Sequence, residues 1–256
     1  MKYKLLLYSA FLSVFADNCY AIVNMDNLHL GTIPSGTSGS FNLSSSGATG
    51  NREQFQISSG FELHNKQSAS LQYLAFNYSY GESFSKEDQN KSYLHLRHIH
   101  NLERNHTWEL FTQVEQNKFS RLNFRGLIGG GYRWNLTSPQ SKNTSIFGVG
   151  AYYSEEYLTH SSVTNEEREL QIARGNIYWV FRSKLFDTVS LFNTSYYQPS
   201  LRDFKDFRIL EIAGLEMPLT KNLQFKIFGE GTIDSKPPIG VRKGDLSYKT
   251  GIEYKF

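Results

Sequence analysis

Along most of the chain, apolar and polar side chains alternate one by one. In the final stretch Tyr248, Ile252, Tyr254 and Phe256 share one side, and Lys249, Glu253 and Lys255 share the other. A strand sends successive side chains to opposite faces, so this stretch fits a sheet with one apolar and one polar surround. The rhythm is present from Ser38 onward. Phe41 and Leu43 open a first segment, and in the second Phe55, Ile57, Phe61 and Leu63 alternate with Gln54, Gln56, Ser58 and Glu62. A third runs from about 66 to 82 with Leu74, Phe76, Tyr78 and Tyr80 on one face. The same period predicts further segments at 90–102, 106–119, 122–136, 143–157, 168–182, 186–198, 203–218, 222–234 and 244–256. That makes twelve, an even number, each long enough to cross a bilayer at barrel tilt. The fold expected for residues 38–256 is therefore all-β: a transmembrane antiparallel up-and-down β-barrel of about twelve strands.

The connections test that reading separately, because bacterial barrels have short periplasmic turns and longer outer loops. With the N-terminus in the periplasm, the periplasmic turns fall near 64–66, 103–106, 183–186 and 219–222, and all are short. The outer loops at 82–90, 157–168, 198–204 and 234–244 are longer and richer in charge. Two connections depart from the rule: 118–122 is short for an outer loop and 136–143 is long for a turn. A soluble meander has no reason to alternate loop length.

The start of the chain supplies a route to that membrane. Lys2 and Lys4 precede an apolar run from Leu5 to Ala16, and Cys19-Tyr20-Ala21 places small residues where a signal peptidase cuts. Residues 1–21 are expected to be a cleaved signal peptide and 22–37 a periplasmic lead-in ending in the turn-rich Pro34-Ser-Gly-Thr-Ser-Gly39. Cys19 is the one cysteine, so disulfides and cysteine-based metal sites are excluded from the mature chain. Aromatic residues make up 15% of the chain while mean hydropathy is negative, and no apolar run after the signal reaches helix-spanning length. A formal net charge of +3, dispersed along the sequence, argues against a nucleic-acid partner.

In a barrel the polar face lines the interior. Glu109, Gln113, Glu115 and Asn117 lie opposite Trp108, Leu110 and Val114; Asn123, Arg125, Arg133 and Asn135 lie opposite Phe124, Ile128, Tyr132 and Trp134. Lys226 and Glu230 lie opposite Leu223, Phe225 and Ile227. Glu109, Gln113, Glu115, Arg125, Arg133, Lys226 and Glu230 are thus the candidate lumen-lining residues, either pairing in a packed interior or setting the selectivity of a narrow pore. Trp108, Trp134, Trp179, Tyr132 and Tyr254 are assigned to lipid-facing aromatic girdles. His95, His98, His100 and His106 lack a matching carboxylate or cysteine framework, so no metal and no cofactor is expected. Gly129-Gly130-Gly131 is not followed by a Lys-Ser or Lys-Thr and reads as a strand with room for neighbouring aromatic rings.

Two resemblances join this reading. The C-terminal Phe256 with Tyr254, Ile252 and Tyr248 on its face resembles the signal that the outer-membrane barrel assembly machinery reads. The segment from Leu94 to Trp134 contains "HLRHIHNL", "TWELFTQVEQNKF" and "NFRGLIGGGYRW". It resembles the core of the domain-of-unknown-function 481 family, described as salt-induced outer-membrane proteins. The family pattern is fitted by Trp108, Phe111, Gln113, Lys118, Phe119, Arg125, Gly126, Leu127, Gly129, Gly131 and Arg133. The resemblance implies an outer-membrane barrel and brings no catalytic residue and no substrate. The expected function is a non-enzymatic barrel in the bacterial outer membrane, structural or a narrow pore. Its expected partners are outer-membrane lipids, lipopolysaccharide, the assembly machinery and small solutes or ions. Two alternatives stay open: a phospholipase-like acyl hydrolase using His160 and Ser162, and a soluble periplasmic ligand-binding β protein.

Overall fold

The structure, a computed structural model, describes Ile33 and residues 35–48, 53–100, 106–137, 143–159, 169–186 and 188–256. The strands are β1 (Gly36–Ala48), β2 (Gln54–Lys66), β3 (Ser70–Ser83), β4 (Lys86–His100), β5 (His106–Asn117), β6 (Leu122–Asn135), β7 (Thr144–Leu158), β8 (Glu169–Phe186), β9 (Val189–Pro199), β10 (Phe207–Pro218), β11 (Leu223–Asp234) and β12 (Gly244–Lys255). Each pairs antiparallel with its sequence neighbour, and β1 meets β12 to close the barrel. Closure is completed by reciprocal backbone hydrogen bonds between Gly39 and Phe256, of 3.1 and 3.0 Å. The expected signal peptide and most of the expected lead-in lie outside the described residues. β1 begins at Gly36, inside the stretch expected to be lead-in.

Alternation sorts the side chains without exception along β5. Thr107, Glu109, Phe111, Gln113, Glu115 and Asn117 are buried, while the residues between them face outward. Bulges break this parity elsewhere. The pairing of β6 with β7 shifts between Leu122 and Phe124, so Leu122 turns inward while Asn123, expected on the inner face, is exposed. Asn123 instead accepts a 2.7 Å hydrogen bond from the Thr159 hydroxyl. Asn135, also expected inside, is exposed at the end of its strand and caps the backbone N–H of Thr137 at 3.0 Å.

The outer loop expected at 82–90 is a two-residue turn. Ser83 pairs with Lys86, and Phe84 and Ser85 both have positive φ, 50° and 57°. That combination matches the right-handed twist of a tight hairpin. The polar run Lys86-Glu-Asp-Gln-Asn-Lys91 is strand rather than loop, rising above the apolar zone where both faces can be hydrated. The short link at 118–122 is a single 3-10 turn, capped by the Asn117 side chain accepting from Phe119 and Ser120 N–H and ended by Arg121 at φ 56°.

Outside, the barrel carries a continuous apolar belt that includes Phe41, Leu43, Phe76, Leu110, Ile128, Tyr153 and Ile252. Ile128 is 67% exposed in the middle of its strand, a position no water-soluble sheet would leave open together with so many neighbours. Trp108, Tyr132, Trp134, Trp179 and Tyr254 face outward with it.

Candidate functional site: the charged interior

The side chains that alternation sends inward include many charges, and a charge removed from water is tolerated only when paired and hydrogen-bonded. Strand register decides which can meet. Glu156 on β7 sits at the centre of one network. It accepts from Arg125 on the neighbouring β6 at 3.0 Å and, through both oxygens, from Arg208 on β10 at 2.9 and 3.0 Å. Since β7 and β10 are not neighbours in the sheet, this pair crosses the interior. Arg125 also binds Glu115, and Arg208 donates to Asp234 at 2.9 Å. Close by, Arg174 donates to Asp206 at 2.8 Å, and Tyr152 donates to Gln198 at 3.0 Å.

A second network lies towards the end of the barrel where β5 begins. Glu109 accepts from Arg97 at 3.0 Å and from the Tyr178 hydroxyl at 2.9 Å, with Arg133 at 3.6 Å. Tyr178 is on β8 and Glu109 on β5, so this bond also spans the interior. The guanidinium of Arg97 lies 4.9 Å from the Phe111 ring centroid, and that of Arg133 lies 6.0 Å from the Tyr178 ring, which adds cation–π attraction. Gln113 joins the two networks, donating to Glu115 at 2.5 Å while its carbonyl lies 3.0 Å from His95 Nδ1. Gly129 and Gly131 face the same space, and a Cβ at Gly129 would lie 2.6 Å from both the Phe111 ring and Tyr152. Gly129 lets Phe111 and Tyr152 pack across the strand, and Gly131 lets the β7 backbone approach at Val149 and Gly150.

A third set occupies the other side of the cylinder. Lys226 binds Glu253 at 2.6 Å, Lys249 binds Glu230 at 2.8 Å, and Lys91 on β4 reaches Glu230 on β11 at 3.8 Å. Here the packing leaves a cavity of about 140 Å³, lined by Phe192, Leu210, Ile212 and Phe228 together with Asn42, Ser58, Asn77 and these charges.

The structure therefore divides the seven candidate lumen residues. Glu109, Gln113, Glu115, Arg125 and Arg133 are buried in the first two networks, whereas Lys226 and Glu230 border the cavity. Arg97, Glu156, Arg174, Arg208 and Asp234 were not singled out from sequence, although each occupies an inward position of an expected strand. Tyr248, Ile252, Tyr254 and Phe256 all point outward. His98 and His100 pack outside against Trp108 with tilted rings, centroids 5.6 and 5.0 Å away, while His95 points inward. Among the described residues no group of three His, Cys, Asp or Glu is placed to hold a metal. His160 and Ser162 lie outside the described residues.

A closed antiparallel cylinder, apolar outside and polar inside, has the architecture of an outer-membrane-type β-barrel. The chain belongs to the DUF481 family of proteins of unknown function, whose model matches residues 41–256. No curated protein matches it. Among solved structures it is similar to the NanC porin, with TM-score 0.51 and 9% identity over 86% of this chain and 100% of that one. It also matches the translocator domain of the autotransporter NalP from Neisseria meningitidis, with TM-score 0.46 and 12% identity over 89% and 91% of the two chains. The KdgM porin matches with TM-score 0.42 and 11% identity over 86% and 99%. At these identities the likeness concerns the fold.

Proposed function

We propose that the protein is a non-enzymatic β-barrel of the bacterial outer membrane whose interior is filled by paired charges, so that it does not act as a general diffusion pore. The observation that carries this reading is the set of ion pairs and hydrogen bonds joining strands that are not neighbours: Glu156 with Arg208, Glu109 with Tyr178, and Lys91 with Glu230. Such contacts fill a cross-section that an open pore would leave to water. The apolar outer belt supports insertion among lipid and lipopolysaccharide acyl chains. The outward row Tyr248, Ile252, Tyr254 and Phe256 on the closing strand is the surface offered to the assembly machinery, with Phe256 locking against Gly39.

The membrane reading is tested by electrophoresis of unboiled and boiled protein. A closed membrane barrel resists SDS until heated, so a heat-dependent mobility shift is expected. Extraction into buffer without detergent, with no shift, would sink it and favour a soluble β protein.

A further inference from the structure

The eleven other strand contacts around the cylinder run for most of the shorter strand's length, and the closing contact runs much less far. On its other side β1 pairs with β2 from Gly36↔Lys66 to Ala48↔Gln54. The register of β1 with β12 runs only from Ser40↔Lys255 to Leu43↔Ile252. Both strands continue beyond that point as strand, β1 to Ala48 and β12 back to Gly244. If the ladder continued, Ser44 would oppose Gly251 and Ala48 would oppose Ser247, but no pairing joins them. Each remains fully bonded on its other side, β1 to β2 and β12 to β11. The barrel is therefore split along one seam above its last rung.

The split lies within the apolar belt. Gly47 is level with the outward Phe55 of β2, and Leu246 and Tyr248, 62% and 82% exposed, flank the gap on β12. A sheet edge facing hydrocarbon leaves backbone N–H and C=O groups unsatisfied, and such edges are tolerated at membrane depth only where they border a polar, hydrated space. A partly polar cavity adjoins the edge here: Ser44 and Gly251, at the point where the ladder stops, belong to the wall of the 140 Å³ cavity together with Lys249 and Glu230.

We infer that the β1–β12 seam is a lateral port through which the headgroup of a zwitterionic phospholipid enters the cavity while its acyl chains stay in the bilayer. The volume is close to that of a void known to accommodate a single small ring, enough for a headgroup and far too small for a whole lipid. The wall near the seam holds Lys249 paired with Glu230 and Lys226 paired with Glu253. A purely anionic head would compete for the lysines and leave a carboxylate without its partner, at the cost of a buried charge. A head carrying both a phosphate and an ammonium can meet lysine and glutamate together. The glycerol end, which stays at the seam, meets Leu43 and Ile252 of the cavity wall. This inference rests on the proposed membrane location.

The test uses the full chain folded in a maltoside detergent, exposed to short-chain phosphatidylethanolamine or phosphatidylglycerol and read by native mass spectrometry. One retained phosphatidylethanolamine per barrel is expected, with at least tenfold weaker retention of phosphatidylglycerol. The double variant Lys249→Gln/Glu230→Gln, which keeps side-chain size, is expected to lower phosphatidylethanolamine retention at least tenfold while keeping the heat-dependent gel shift. Equal retention of both lipids by the unmodified chain, or no adduct from protein that does show the gel shift, overturns the port and leaves the membrane barrel standing. A dimer joined through the free edges of β1 and β12 also overturns it, since a second copy would then occupy the seam. Protein without the gel shift refutes the membrane location itself.

Discussion

Glu156→Gln is the substitution on which the charged interior makes its sharpest demand. Glu156 is 1% exposed and its two oxygens take hydrogen bonds from two guanidiniums, those of Arg125 and Arg208. The amide keeps the shape, so no cavity is created, but it cannot balance two cations. Removing one partner of a buried pair costs roughly 3–5 kcal/mol because a charge is left uncompensated. In this network Arg125 keeps Glu115 and Arg208 keeps Asp234, which argues for the lower end, about 3 kcal/mol. At 1.4 kcal/mol per decade that is about a hundredfold in the folded-to-unfolded ratio. Equilibrium urea unfolding of the vesicle-inserted barrel, followed by tryptophan fluorescence, would measure it. An unfolding free energy equal to that of the unmodified protein would refute the reasoning, because it would mean that water already solvates both arginines.

Other positions make separate demands. Tyr178→Phe removes the donor to Glu109 and should cost about 1.5–3 kcal/mol in the same urea assay, the usual range for a bond to a charged group. Gly150→Ala should destabilise by about 1–3 kcal/mol, as overpacking does, because its Cβ would press on the backbone of Gly130 and Gly131 with no side chain able to yield; unchanged stability would show that β6 and β7 can separate. In the outer loops, Asp203 and Lys236 pair at 2.6 Å; the Lys236 hydrogen bond holds the carboxyl below its ordinary 3.8, and Asp203 raises the ammonium above 10.5. The Asp203 contribution is complete above 3.8 and is lost as pH falls through the lowered value; the Lys236 contribution is complete below 10.5 and is lost as pH rises through the raised one. Carboxyl NMR titration should place the Asp203 midpoint below 3.8 and return it towards 3.8 in Lys236→Ala.

Alternation made the strands and much of the inner face legible. Glu109, Gln113 and Glu115 could be placed because β5 keeps a strict period of two between Trp108 and Glu115. Asn123 was misplaced because a bulge adds a residue without altering the apolar count nearby. The run 86–89 read as loop because a strand hydrated on both faces carries no hydrophobic period. Partners were a different matter. Glu156 and Arg208 are 52 positions apart on non-neighbouring strands, and nothing local to either one encodes the distance across a cylinder. The unfinished seam left only a one-sided trace: β12 keeps its alternation through Leu246 and Tyr248, whereas β1 past Leu43 reads Ser44-Ser-Ser-Gly-Ala48 and carries no period.

The filled interior is tested most directly by conductance of the refolded protein in a planar bilayer, using a preparation already shown to be folded by its heat-dependent gel shift. Paired charges across the lumen predict persistent electrical silence. Steady unit openings, with a reversal potential under a salt gradient that moves in Arg125→Glu or Arg133→Glu, would contradict the account and make those arginines the lining of a pore.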